Sequence, residues 1–226
     1  GCNTVFAGLG LTRDDHVVTT DLEHFGLLGP LHASGAQVTV VKLSGRPAAD
    51  ALDLVKAAVT PRTKLIAISH VAWSTGQVIP VRELREATGV PLLVDGAQSV
   101  GAIDLTSGAD VSGVDFYTGS AQKWLCGPDQ QGVLVVRDPE RLRVALPSYM
   151  SKASYEEDGS FVALPGAARF EQQGGPLSGL AGLEVAMGLH PAYRWSHPLA
   201  AAARCRELLA AAGHEVVTEP GQAQLV

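Results

Sequence analysis

The chain has 226 residues, 46% hydrophobic and 18% charged, and its 17 basic against 23 acidic side chains leave a formal charge of −6. That apolar content excludes global disorder and is enough for a core, since a domain of about 150 residues already buries about 70% of its unfolded surface. A mildly acidic chain without a Lys/Arg block argues against a nucleic-acid partner, and no apolar run approaches the ~18 residues of a membrane span, so no membrane partner is expected either.

The chain opens on Gly1-Cys2-Asn3-Thr4-Val5-Phe6-Ala7-Gly8-Leu9, a helical pattern already under way, without an initiator Met and without the basic and apolar regions of a signal peptide in these residues. Short β-rich runs follow at 16–20, 37–41, 64–69, 91–95 and 132–136, and a further short strand is expected to end in the small polar residues near Ser120. Between them, Ala51, Leu52, Val55, Ala58 and Val59 share one helical stripe, as do Val81, Leu84 and Ala87. Nearly all-apolar strands alternating with helices indicate a mostly parallel α/β sheet covered on both faces. Beyond about Asp138 the pattern becomes irregular, and helical sequence returns at 177–189 and 199–212, with Gly213 as a stop. Glu215-Val216-Val217-Thr218 and Ala223-Gln224-Leu225-Val226 read as a strand, a turn and the start of another strand. The expected division is a large α/β domain over 1–190 and the beginning of a smaller one over 191–226. Both ends are expected to lie inside a longer protein. Cys2, Cys126 and Cys205 are scattered without a CxxC pair, which fits a reducing, cytoplasmic setting.

In parallel α/β sheets ligands bind beyond the carboxyl ends of the strands. One such end is Leu93-Val94-Asp95-Gly96-Ala97-Gln98-Ser99-Val100-Gly101. Asp95 could be a Mg²⁺ ligand, although the chain has no GxxxxGK[ST] loop. Ser99 could be a nucleophile on a variant elbow, as in an esterase, although Ala102-Ile103-Asp104-Leu105 is not a helix start. Asp95 could also simply cap its own turn. A second end is Thr118-Gly119-Ser120-Ala121-Gln122-Lys123-Trp124-Leu125-Cys126-Gly127-Pro128. A lysine pressed between an aromatic ring and a buried strand is desolvated, which favours a nucleophilic amine able to form a Schiff base with a carbonyl cofactor. Such a cofactor also needs an acid for its ring nitrogen, and Asp95 stands at another strand end. His190 and His197 lack metal-ligand spacing and there is no HExxH, so no metal is expected.

These two blocks, with Thr19-Thr20-Asp21-Leu22-Glu23-His24 and Ser69-His70-Val71-Ala72-Trp73-Ser74-Thr75-Gly76-Gln77 in the same order, resemble the class V aminotransferase family of pyridoxal-phosphate enzymes. Cysteine desulfurases, cystine lyases and isopenicillin N epimerase belong to it, and the form Trp73-Ser74-Thr75-Gly76 is more similar to the lyase and epimerase-like members. The resemblance implies a fold-type I large domain, with a mostly parallel sheet of the seven-stranded type flanked by helices, and the start of a small α/β domain. It implies pyridoxal 5'-phosphate as cofactor, an amino acid as substrate and a homodimer. The implied reaction is C–S cleavage of the lyase or desulfurase kind, with transamination, epimerisation or a non-catalytic homologue as alternatives.

Residue by residue, Lys123 would carry the Schiff base and then move the Cα proton. Asp95 would hold the pyridine nitrogen protonated, Gln98 would donate to the phenolic oxygen, and His24 would stack on the ring. Ser120 and Gln122 would donate to the phosphate, while Trp73 and Thr75 would line the substrate side. Departures are also evident. The family's main phosphate loop would precede Gly1, and the carboxylate-binding Arg and desulfurase Cys would follow the chain's last residues. Cys126 resembles a packing residue and Cys205 a buried filler. In Arg169-Phe170-Glu171-Gln172-Gln173-Gly174-Gly175-Pro176, which resembles the segment reaching a neighbour's phosphate, Gly174 replaces the usual Thr.

Overall fold

The structure is a computed structural model that describes residues 1–105, 111, 113–172 and 177–226. Six strands form its main sheet: β1 (His16–Thr20), β2 (Gln37–Val41), β3 (Thr63–Ser69), β4 (Leu92–Asp95), β5 (Phe116–Ser120) and β6 (Gly132–Val136). Helices α1 (Cys2–Leu9), α2 (Phe25–Ala33), α3 (Ala51–Ala57) and α4 (Val81–Thr88) pack on its faces. The spatial order is β2-β1-β3-β4-β5-β6. The first four pairings are parallel and β5–β6 is antiparallel. The crossovers to β2, β3 and β4 carry helices α2, α3 and α4. Residues 121–131 contain no helix and simply turn the chain back, which makes β6 antiparallel.

Successive side chains in the central strands serve opposite faces. Val18, Ile66, Ile68 and Val94 meet Ala51 and Val55 of α3 and Val81 and Leu84 of α4. Their neighbours Val17, Leu65, Ala67 and Leu93 meet Val5 and Phe6 of α1 and Leu27 and Leu31 of α2. Two layers of helix around one sheet explain why these strands have no polar face. Asp115 pins this stack from one end, accepting from Arg85 Nε at 2.7 Å and from the Leu92 amide at 3.0 Å.

The α/β class and mostly parallel sheet agree with the sequence reading, with three differences. The sheet has six strands among the described residues, not seven. The stretch after Asp138 contains an antiparallel hairpin, β7 (Lys152–Tyr155) with β8 (Phe161–Ala163). The strands expected from 215 onward do not form. After α5 (Leu177–Gly188) and α6 (Ser196–Ala211) the chain runs irregularly along loops that offer isolated polar groups instead of a strand edge. Glu219 there accepts from the Ala48 amide at 3.0 Å, Gln222 from the Val78 amide at 2.8 Å, and the Ala223 amide donates to the Gly76 carbonyl at 3.0 Å. No described helix is long and apolar enough to cross a membrane.

The loop after β4 and the turn after β5 touch backbone to backbone at Gly101, where φ is 88° and an added Cβ would come within 2.7 Å of the Trp124 carbonyl carbon. Gly159 has φ of 85° with open space around it. Gly159→Ala therefore carries only the backbone cost, about 1–2 kcal/mol. Gly101→Ala is expected to lower stability by clearly more in chemical denaturation. Equal losses would show that the two loops do not meet closely.

Candidate active site

Because β1, β3, β4 and β5 run parallel, their carboxyl ends Thr20, Ser69, Asp95 and Ser120 lie along one edge. The strand order reverses at β1, which has β2 on one side and β3 on the other, so the crevice of this fold opens between β1 and β3. His24, Trp73, Asp95, Gln98 and Lys123 are brought together around one pocket there. Ser69, with no role assigned from sequence, also lines it, and Val71 and Ala97 supply apolar wall.

Each side chain is held by its local structure. His24 caps α2, its Nδ1 accepting from the Gly26 amide at 3.0 Å. That bond places the neutral ring's proton on Nε2. The ring also meets Trp73 edge-on, with centroids 5.5 Å apart. Asp95 ends β4 half-buried, paired in register with Ser69, and its Oδ1 accepts from the Ala97 amide at 2.9 Å. Gln98 accepts at Oε1 from Trp124 Nε1 at 2.8 Å. Lys123 lies in a turn closed by Cys126 N donating to Lys123 O at 3.0 Å and Gly127 N to Ala121 O at 2.9 Å.

Lys123 differs from the sequence expectation in one respect: it is exposed at the pocket rim. The Trp124 ring turns away to satisfy its N–H on Gln98 and does not press the amine against the strand. Ser120 and Gln122 follow along the β5 exit, half-buried and exposed, but do not line the pocket. Thr75 faces a different, larger cavity of about 480 Å³, together with Arg46, Glu215 and Glu219. Size does not decide between the two spaces. The smaller pocket is the one that holds an amine, a carboxylate, an amide and an imidazole together.

Ser99 is fully buried, its Oγ donating to the Gly96 carbonyl at 3.2 Å and meeting the Tyr117 hydroxyl at 2.5 Å. A hydroxyl so enclosed, with no imidazole against it, is no nucleophile. Tyr117 also meets His70 Nδ1 at 2.9 Å, and burial pushes the tyrosine up and the histidine down to about 4. Cys205 is exposed on α6, because that helix presents this position to solvent, so it is not the expected filler. Cys126 is exposed with φ of 56°. Arg169 is bonded to the carbonyls of Leu164 and Pro139 at 3.3 and 3.0 Å, and Gly174 lies outside the described residues. Among the described residues no cluster of His, Cys, Asp and Glu is arranged to hold a metal ion.

Glu23 stands in the Thr19–His24 motif with no role that the sequence suggests, yet it links the two walls of the crevice. It is buried and accepts from Thr20 Oγ1 at 2.6 Å, from the Ser69 amide at 2.7 Å and from Ser69 Oγ at 2.6 Å. Burial pushes its carboxyl up to about 7 and the Asp95 charge adds to the rise, against the pull of the three hydrogen bonds. The signal in the sequence was an acid one residue before a strand-exit histidine.

The chain matches the aminotransferase class-V family over residues 1–209 and belongs to it, a family of pyridoxal-phosphate-dependent enzymes. Isopenicillin N epimerase of Streptomyces clavuligerus is 39% identical over 131 residues, 52% of this chain and 32% of that protein. A probable cysteine desulfurase of Mycobacterium leprae is 32% identical over 92% of this chain and 49% of its own length. The chain thus spans half or less of the length of these two relatives. Among solved structures, a lysine-to-alanine variant of C-DES with glycine covalently linked to the PLP cofactor superposes with a TM-score of 0.77 at 26% identity, covering 98% of this chain and 63% of that one. The cystine C-S lyase C-DES with cysteine persulfide gives 0.70 at 28% identity, over 84% of this chain and 53% of that one.

The buried acid and base make opposite demands on pH. Glu23 binds its proton more tightly folded than unfolded, so its contribution to stability is full below about pH 4.5 and is lost as pH rises through about 7. His70 binds its proton more weakly folded, so its contribution is full above about pH 6.5 and is lost as pH falls toward about 4. Glu23→Gln removes the first slope alone. Its melting temperature relative to wild type is expected to rise as pH goes from 4.5 to 7. A difference that stays constant across that window contradicts the assignment.

Proposed function

We propose that the chain carries the lysine-bearing part of a pyridoxal-phosphate-dependent enzyme that cleaves a C–S bond in an amino acid of the cysteine or cystine type. The observation that carries this reading is the convergence of Lys123, Asp95 and Gln98 on one pocket at the strand-order reversal. The donor set fits the cofactor: a primary amine for its aldehyde, a carboxylate for its ring nitrogen and an uncharged amide for its phenolic oxygen. Bound there, pyridoxal phosphate supplies an electron sink for negative charge at the substrate Cα.

Lys123 would hold the group covalently, and its amine, freed by the incoming substrate, would move the Cα proton. Asp95, with Oδ1 committed to Ala97, would offer Oδ2 to a ring N–H. His24, its Nδ1 committed to α2, would present its ring and Nε2–H to the pocket. Ser120 and Gln122 at the β5 exit would donate to the phosphate, while Thr75, facing the larger cavity, is left out. A homodimer is part of the proposal, supported by exposed Tyr149, Met150, Tyr155 and Val162 on and before the β7–β8 hairpin. So is a division between domains near residue 190, and a reducing, cytoplasmic compartment, with three free cysteines in its favour. Epimerisation is the second reading, favoured by the higher identity to the epimerase.

Adding pyridoxal phosphate to the chain is expected to give a visible absorbance band, trapped on Lys123 by borohydride and abolished in Lys123→Ala. No band, or one that survives the substitution, overturns the proposal. With cystine, release of pyruvate supports cleavage, whereas exchange of the α-proton without loss of sulfur moves the reading to epimerisation.

A further inference from the structure

The contact between Trp124 and Gln98 joins the two loops that carry the proposed cofactor groups, and its chemistry is directional. An indole N–H can only donate, so the atom of Gln98 that it meets at 2.8 Å must be the carbonyl oxygen. The amide is planar, so fixing Oε1 on the Trp124 side leaves the NH₂ group pointing away from the indole. Unrestrained, a glutamine can present either end to a ligand, and the two ends differ in sign.

We propose that Trp124 is a positioning residue that sets the polarity of the Gln98 amide, so that the pocket offers a donor, and not an acceptor, to a ligand oxygen. This rests on the reading that Gln98 faces the phenolic oxygen of pyridoxal phosphate. The geometry behind it is local. Trp124 directly follows Lys123, and Gln98 lies on the loop that begins with Asp95. The backbone at Trp124 is brought against that loop by Gly101, which leaves room for no Cβ. Leu125 O is held by His190 Nε2 at 3.1 Å, which braces the turn from its other side. Trp124 therefore couples the amine-bearing turn to the amide through one hydrogen bond. It orders Gln98 before any ligand arrives, and ordering a long polar side chain in advance is worth about 0.5–1.5 kcal/mol in binding.

Two measurements test it. In the cofactor-free chain, the indole N–H resonance of Trp124, identified by its loss in Trp124→Phe, is expected to shift in Gln98→Ala, while those of Trp73 and Trp195 move less. With cofactor added, Trp124→Phe is expected to weaken pyridoxal-phosphate binding about two- to tenfold, the fold-change equivalent of that ordering energy. It is also expected to raise the pH midpoint of the visible band, because a phenolic oxygen without its donor is more basic. Gln98→Ala should show the same rise, and the double variant no more than Gln98→Ala alone. Gln98→Glu, which keeps an acceptor for the indole but turns a second oxygen on the ligand, should bind worse than Gln98→Ala.

An unmoved indole resonance overturns the proposal. So does a Trp124→Phe band with wild-type midpoint and affinity while Gln98→Ala changes both, and that result leaves the function reading standing. A wild-type chain that gives no band overturns the function reading and this proposal with it.

Discussion

The buried hydroxyl of Tyr117 is the constraint on which the edge of the sheet depends. From the second residue of β5 it reaches Ser99 in the loop after β4 and His70 just past β3, so one oxygen joins β5 to the exits of two other strands. Its ring lies over Gly96, where a Cβ would come within 2.2 Å of a ring carbon. Only a residue without a side chain lets the loop descend far enough for Ser99 to reach the hydroxyl. The network is satisfied throughout, and that matters because a buried polar group that loses its partner costs about 1–3 kcal/mol. With Ser99 and Gly96 fixed, Asp95, Ala97 and Gln98 have little freedom left, and the orientation of the pocket's acid and amide follows from this anchor.

The opposite wall is built around one buried carboxyl that binds its proton tightly. Glu23 gathers Thr20 and Ser69, closing β1 to β3 across the point where the strand order reverses. Burial raises its proton affinity, and the nearby Asp95 charge adds to that rise.

Much of this was legible in the sequence. The β-rich runs at 16–20 and 64–69 became strands that are buried almost throughout because both sheet faces are covered there, whereas 37–41 pairs with β1 as an edge strand with only Val41 buried. The helical stripes of α3 and α4 followed for the same reason. The hairpin of β7 and β8 was not legible, because Tyr155, Phe161 and Val162 are exposed and its pattern is not set by burial within this chain. Val216 and Val217 misled in the other direction. High β propensity makes no strand without an edge to pair with, and the loops at 48 and 76–78 offer only single donors and acceptors.

At the site, the residue types were legible and their partners were not. The adjacency of Lys123 and Trp124 suggested an amine buried under an indole, but sequence carries no information on which way a ring turns. The indole N–H decides it, since a half-buried donor must find an acceptor and Gln98 supplies one. The consequence is a site whose parts are coupled across chain distance: Lys123 is joined by its neighbour to Gln98, and Gln98 by its loop to Asp95. A displacement of the turn after β5 would move the amine and release the amide. The two blocks are thus each closed by their own backbone bonds and joined to one another by a single side-chain bond.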